Sequence, residues 1–250
     1  MKYLKDFDTE SNYLAYRYDK ENYLKPNISL CEGNDMVYYN YPPSNPNFNG
    51  HDYVDLGLPS GTLWATCNVG ASKPNDFGQY FSWGDTSGYT ADQVGRGDGK
   101  KKFASDWSDY KWSVNGSSSN FSKYKTTGAT LELEDDAAHA NMGGDWHMPT
   151  PAQIQELINT ANTTRTWIKM DGVYGSLFTS KKNGKSIFIP AAGDAWDGSV
   201  NFSGSSAGVW SSMLSKSNVL GGQHFYFNSN VVLLGDGHRY DGLSVRGVLG

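Results

Sequence analysis

Cysteine is nearly missing from this chain: Cys31 and Cys67 are its two copies in 250 residues. Two thiols cannot build a disulfide framework, and either a single bridge between them or two buried thiols fits the count. Long apolar runs are missing too. No stretch approaches the ~18 residues that span a bilayer, so no membrane insertion is expected. The first ten residues, Met1 to Glu10, hold no apolar h-region. A secretory signal needs one, so synthesis and folding are expected in the cytoplasm, with lysis or another protein carrying the chain out. Basic charge is in deficit, with 21 Lys+Arg against 26 Asp+Glu and a net charge of −5. Nucleic-acid binding needs a basic face, and none is expected; the run Lys100 to Lys102 reads as a solvated loop. Leu and Glu are sparse, which disfavours a helical bundle. His51, His139, His147, His224 and His238 show no metal-ligand spacing, and neither a Ser-His-Asp set nor a phosphate loop is evident. No catalytic residue and no metal ligand is assigned.

What the chain does hold is Gly 29, Tyr 16 and Trp 8, a composition of short strands, turns and aromatic plugs. Residues 1–48 form a separate N-terminal segment, rich in tyrosine and acid. Ile28, Leu30 and Met36 to Tyr39 read there as two short strands around the turn Glu32 to Asp35. So small a β-rich piece cannot bury a core alone and is expected to assemble or attach the molecule. The main domain, 49–250, opens with strands at Tyr53–Leu58 and Leu63–Thr66 joined at Pro59-Ser60-Gly61. A strand at Gln79–Gly84 leads into a long polar loop from Asp85 to Thr130, anchored by Trp107, Trp112, Phe121 and Tyr124. Arg96-Gly97-Asp98 within it reads as a flexible turn.

Two helices are expected. One covers about Glu134 to Asn141, with Asp135 and Asp136 in its first turn, opposing the helix dipole. The other starts at Thr150, with Pro151 at the first helical position and Gln153 completing a capping box; Ile154, Leu157, Ile158 and Ala161 share one face. Short strands follow at Leu177–Thr179, Ser186–Pro190, Val209–Ser212, His224–Phe227, Asn230–Val232 and Leu243–Arg246. Helices and strands together predict an α+β fold.

Several segments occur in the order of a known family: Tyr53 to Ala71, Glu134-Asp135-Asp136-Ala137-Ala138-His139, Gly144-Asp145-Trp146-His147-Met148-Pro149-Thr150, Ile187 to Gly193, and Arg239 to Arg246. Over residues 50 to 250 this resembles the Fibrobacter-type major paralogous domain, which is similar to the formylglycine-generating-enzyme branch of the C-type lectin fold. The resemblance implies a C-type lectin-like fold with two helices, short strands and long loops. The enzymes of that branch use a late cysteine pair, and this chain has no cysteine after Cys67, so no enzyme is expected. C-type lectin folds sometimes hold calcium; Asp135 and Asp136 are explained by the helix start, so no cofactor is assigned.

The tail, Trp210-Ser211-Ser212, Phe225-Tyr226-Phe227-Asn228-Ser229 and Arg239-Tyr240-Asp241-Gly242, resembles the variable region of diversity-generating retroelement target proteins, placed at about 210–246. Randomising the first two bases of an AAC codon cannot give Met, Lys, Gln, Glu or Trp. Between Leu214 and Asp241, Lys216 and Gln223 are the residues of that excluded set. The resemblance implies a ligand-contact set of Leu214, Val219, Leu220, His224, Tyr226, Leu233, Gly235, Asp236, His238, Tyr240 and Asp241. Alternation turns Phe225 and Phe227 to the core and His224, Tyr226 and Asn228 outward. Leu233 to His238 reads as an adaptable Gly-rich loop, and Trp210 as core.

The N-terminal Pro26-Asn27-Ile28-Ser29-Leu30 resembles leader segments of phage structural proteins. Together the resemblances imply a receptor-binding protein of a phage tail in the virion, diversified by a retroelement. Its partners would be a bacterial surface protein or glycan, other tail proteins and further copies of itself, trimers being usual for phage fibres. The alternative is a non-diversified, cell-associated glycan-binding or structural module of the same fold.

Overall fold

The computed structural model describes residues 45–104 and 106–250. The hairpin expected at residues 28–39, Cys31, the leader-like Pro26 to Leu30 and most of the 1–48 segment lie outside the described residues. Asn47–Phe48 (β1) pairs antiparallel with His51–Asp55 (β2), and the Trp146 indole donates to Phe48 O at 3.1 Å. The last residues of the expected N-terminal segment therefore belong to the main domain.

The expected α+β, C-type lectin-like architecture is overturned. The protein is mostly β, 37% strand against 11% helix, with several sheets and a curled half-barrel. Leu63–Ala65 (β3) and Val248–Leu249 (β14) complete a four-stranded sheet of order β1-β2-β3-β14. Thr163–Met170 (β5), Val173–Ser180 (β6) and Ser186–Pro190 (β7) make a three-stranded meander. Asp194–Trp196 (β8) and Ser199–Asn201 (β9) form a hairpin. The largest sheet has the order β12-β11-β10-β13-β4. Its strands are Val232–His238 (β12), Gly221–Asn228 (β11), Ser206–Leu214 (β10), Leu243–Ser244 (β13) and Tyr80–Phe81 (β4).

Much of the unexpected strand content sits in β5, β8 and β9, and each has a local cause. Asp171-Gly172 joins β5 to β6 with φ of +44° and +88°, and Asp197-Gly198 joins β8 to β9 with +51° and +74°. Two-residue turns with both φ positive match the right-handed twist of paired strands, and Asp-Gly adopts them at little cost. The stretch Leu233 to His238, expected as a loop, is also a strand. Its glycines allow a close approach rather than flexibility. A Cβ on Gly237 would lie 3.3 Å from His224 Nδ1 and 3.4 Å from the Trp210 ring, and one on Gly235 would lie 3.6 Å from His224.

Both helices are short. Ala137–Met142 (α1) is capped by Asp136, whose Oδ1 accepts from Ala138 N and His139 N while Oδ2 accepts from Met148 N. Asp135 belongs to the 3-10 turn before it. Pro151–Ile158 (α2) carries the full Thr150–Gln153 capping box. It buries Ile154 and Leu157 and ends before Ala161, which is exposed.

One apolar core joins Val54, Trp64, Ile154, Phe178, Phe225 and Phe227; another joins Trp83, Trp146, Trp210, Leu214 and Val245. Phe225, Phe227, Leu243 and Val245 are fully or nearly fully buried, and Val232 is half-buried. Between the cores lies Arg246, with no exposed surface. Its Nε donates to Asn68 Oδ1 at 3.0 Å, Nη1 to Ala65 O at 3.0 Å and Nη2 to Phe188 O at 3.1 Å. No helix among the described residues is long and apolar enough to cross a membrane.

Hydrogen bonds to charged groups contribute roughly 1.5–3 kcal/mol each. Arg246→Met, which keeps the bulk and removes all three, is expected to destabilise the fold by about 3 kcal/mol or more, read as a lowered midpoint in urea. A midpoint within error of the parent would mean the three acceptors find other partners.

Candidate ligand-binding cleft

Outward residues of β11 and the end of β12 form one wall of a cleft of about 560 Å³, and Gly193 and Asp194 at the start of β8, with Phe202 and Ser205 after β9, form the other. His224, Tyr226, Asp236, His238 and Asp241 of the expected contact set all line it. Tyr226 and His224 come from the solvent face of β11, paired with Leu233 and Gly235 of β12. At the β11–β12 turn, Asn228 Oδ1 accepts from the backbone of Asn230 and Val231, and its Nδ2 donates to the Tyr226 hydroxyl at 3.2 Å. Asp236 accepts from Ser215 Oγ at 2.8 Å, fixing the rim to the β10–β11 connection.

The rest of the expected set divides. Leu233 is exposed on the edge strand, and Gly235 is half-buried over the His224 ring. Val219 and Leu220 pack partly against an aromatic cluster of Trp107, Tyr110 and Phe121. Tyr240 leans on Trp107 with ring centroids 4.9 Å apart and stacks with His238 at 5.0 Å, so it buttresses the cleft from behind. Leu214 is a correction. It is fully buried in the core and its N–H donates to Ala129 O, because β10 runs through the middle of its sheet with both faces covered. His224 is also less open than alternation alone predicts: its ring stands edge-on to Trp210 at 5.8 Å, and Nδ1 is sealed with no hydrogen-bond partner. Trp210 is fully buried.

Asp194, Phe202 and Asn228 are cleft residues that the sequence reading did not place in the contact set. Phe202 carried a weak signal in hindsight, as an aromatic before the turn Ser203-Gly204. It sits at φ +57° and is 62% exposed, a conformation and exposure that packing alone does not reward. Asp194 had no local signal. The antiparallel bridge between Ala195 and Gly242 brings the segments that carry Asp194 and Asp241 together.

The electrostatics are uneven. Burial pushes Asp241 up to about 7, helped by the Asp194 carboxylate, and burial pushes Asp194 up to about 6. Burial lowers His224 to about 4 against the pull of Asp236, so the imidazole is neutral at pH 7. A second acidic group lies elsewhere, where oxygens of Glu132, Glu134 and Asp135 converge. The Lys123 ammonium already occupies it, 2.6 Å from Glu132, 2.9 Å from Glu134 and 2.5 Å from Asp135. Burial alone would push Asp135 up, but hydrogen bonds from Lys123 and Tyr124 hold it below the usual range. The Lys100–Lys102 run is only partly solvated, since Lys101 pairs with Asp109 at 2.8 Å and lies over the Tyr89 and Phe103 rings. Arg96 of the Arg-Gly-Asp turn is paired with Asp197 on the β8–β9 hairpin.

Comparison with protein-family models, curated proteins and solved structures finds no match. The chemistry of the cleft is therefore read from its own residues.

A carboxyl held above its unfolded value of about 4 favours the fold while protonated, and that contribution is lost as pH rises from about 4 through the folded value near 7. Asp241→Asn should therefore raise stability at pH 8 by on the order of 2 kcal/mol and leave it nearly unchanged at pH 4. Thermal melts at the two pH values check this. Equal melting of the two proteins at pH 8 would mean that the carboxyl ionises freely.

Proposed function

We propose that this chain is a non-enzymatic ligand-display protein whose contact surface is the cleft between β11–β12 and the base of the β8–β9 hairpin. In its finer form the reading is a phage tail receptor-binding protein, diversified by a retroelement over about 210–246 and directed at a bacterial surface receptor. One observation carries it. Along β11, Phe225 and Phe227 are locked in the core while Tyr226, between them, opens into the cleft. Across the turn, Leu233 and His238 are exposed. A register that separates structural from free positions so sharply lets the outward ones vary without unfolding the domain. Tyrosine supplies rigid contact area there, and Asn and Ser supply adaptable hydrogen bonds.

The finer reading is tested in the DNA beside the gene. It requires a near-copy of the coding stretch for 210–246 that differs at adenines, next to a reverse-transcriptase gene. A neighbourhood without either leaves a binding protein that is not diversified.

The coarser reading is tested on the protein. Combined Tyr226→Ala, Leu233→Ala and His238→Ala is expected to abolish attachment to a panel of bacterial cells, scored by flow cytometry. The melting temperature should stay within a few degrees of the parent, because surface changes shift stability by about 0.5 kcal/mol each. Retained attachment, or a collapse in melting temperature, overturns the display reading.

A further inference from the structure

Among the described residues, Asp194, Asp236 and Asp241 line the cleft, and no Lys or Arg does. The Glu132–Glu134–Asp135 group, in contrast, is paired with Lys123. Among the described residues, Asp194 Oδ1 also lacks a hydrogen-bond partner. A buried carboxylate oxygen left unpaired is costly, and a donor brought by a ligand would offset that cost.

We propose that the cleft takes the basic side chain of a protein partner, an arginine or a lysine, held between Asp194 and Asp241 with its alkyl stem against Phe202. The inference rests on the display reading and names the chemistry of its ligand. Two considerations favour an organic cation. A guanidinium or an ammonium group can give several charge-assisted hydrogen bonds to carboxylates carried by separate segments. Exposed Phe202 and half-buried Tyr226 offer the stem an apolar and aromatic side.

Binding should strengthen as pH rises from 5 to 8, since the bound cation requires Asp194 and Asp241 ionised. The other titratable groups around the pair are Tyr80, whose hydroxyl donates to Ala192 O, with Asp236, His238, His224, Tyr226 and Tyr240 on the side of β11 and β12. Of these, His224 stays neutral over the range. His238 is exposed on the rim.

The test uses the full chain and isothermal titration with butylguanidinium and butylammonium, beside 1-butanol, butyrate and glucosamine. Millimolar binding of the two alkyl cations is expected, at least tenfold tighter at pH 8 than at pH 5. It should fall at least tenfold in Asp194→Asn and in Asp241→Asn, each shown folded by its melting curve. Equal binding of 1-butanol, binding of glucosamine in preference to the alkyl cations, or alkyl-cation binding unchanged in both Asn variants would overturn the proposal. If the cations fail to bind while the Tyr226, Leu233 and His238 triple variant still loses cell attachment, the basic-ligand assignment falls and the display reading stands.

Discussion

Arg246 sits where separate sheets must meet, and its three hydrogen bonds fix how they meet. The residue lies between β13 of the largest sheet and β14 of the four-stranded sheet, and its guanidinium reaches Ala65 of β3 and Phe188 of β7. Matched donors offset the cost of burying this charge. Asn68 and the two carbonyls must therefore hold their places, and with them the angle between the sheets. Few other contacts in the domain impose so definite a geometry, because apolar packing accepts small slides that a buried guanidinium does not.

A second buried arginine organises the other end. Arg239 lies 3.8 Å above the Phe121 ring and also faces Tyr110 and Trp107, while Nη1 donates to Tyr124 O. Its own carbonyl accepts from Trp83 N. The long polar segment after β4 is thus clamped onto the turn that follows β12. That clamp sets Trp107 behind Tyr240 and His238, so the rim of the cleft is stiff although the sequence around it is rich in glycine and serine. The cleft then combines this frame with side chains that face outward from β11 and β12. Its negative charge is the feature the frame leaves unanswered, in contrast to the acidic group that Lys123 closes.

Local chemistry was legible wherever a few adjacent residues settle the outcome. Thr150, Pro151 and Gln153 define the start of α2, since the cap satisfies donors within one turn. The alternation at Phe225, Tyr226 and Phe227 assigns inside and outside, because a strand offers no third choice. The Asp-Gly pairs at 171–172 and 197–198 carried the two hairpins that went unread, and their flanking alternation was too weak to draw attention to them. Leu233 to His238 misled for a physical reason. Glycine signals either a flexible loop or a close approach, and only the rings of His224 and Trp210 beneath Gly235 and Gly237 decide between them.

By itself, then, the sequence determined the caps, the turns, the inward and outward positions of β11 and the short-stranded, aromatic character of the domain, because each depends on neighbours along the chain. The tertiary structure decided that the architecture is mostly β, that Leu214 is core, and that the bridge between Ala195 and Gly242 brings the segments of Asp194 and Asp241 together. Those outcomes depend on which strands pair and in what register, and on the desolvation of two carboxyls by segments distant in the chain. No residue pattern along one strand encodes the partner it will meet.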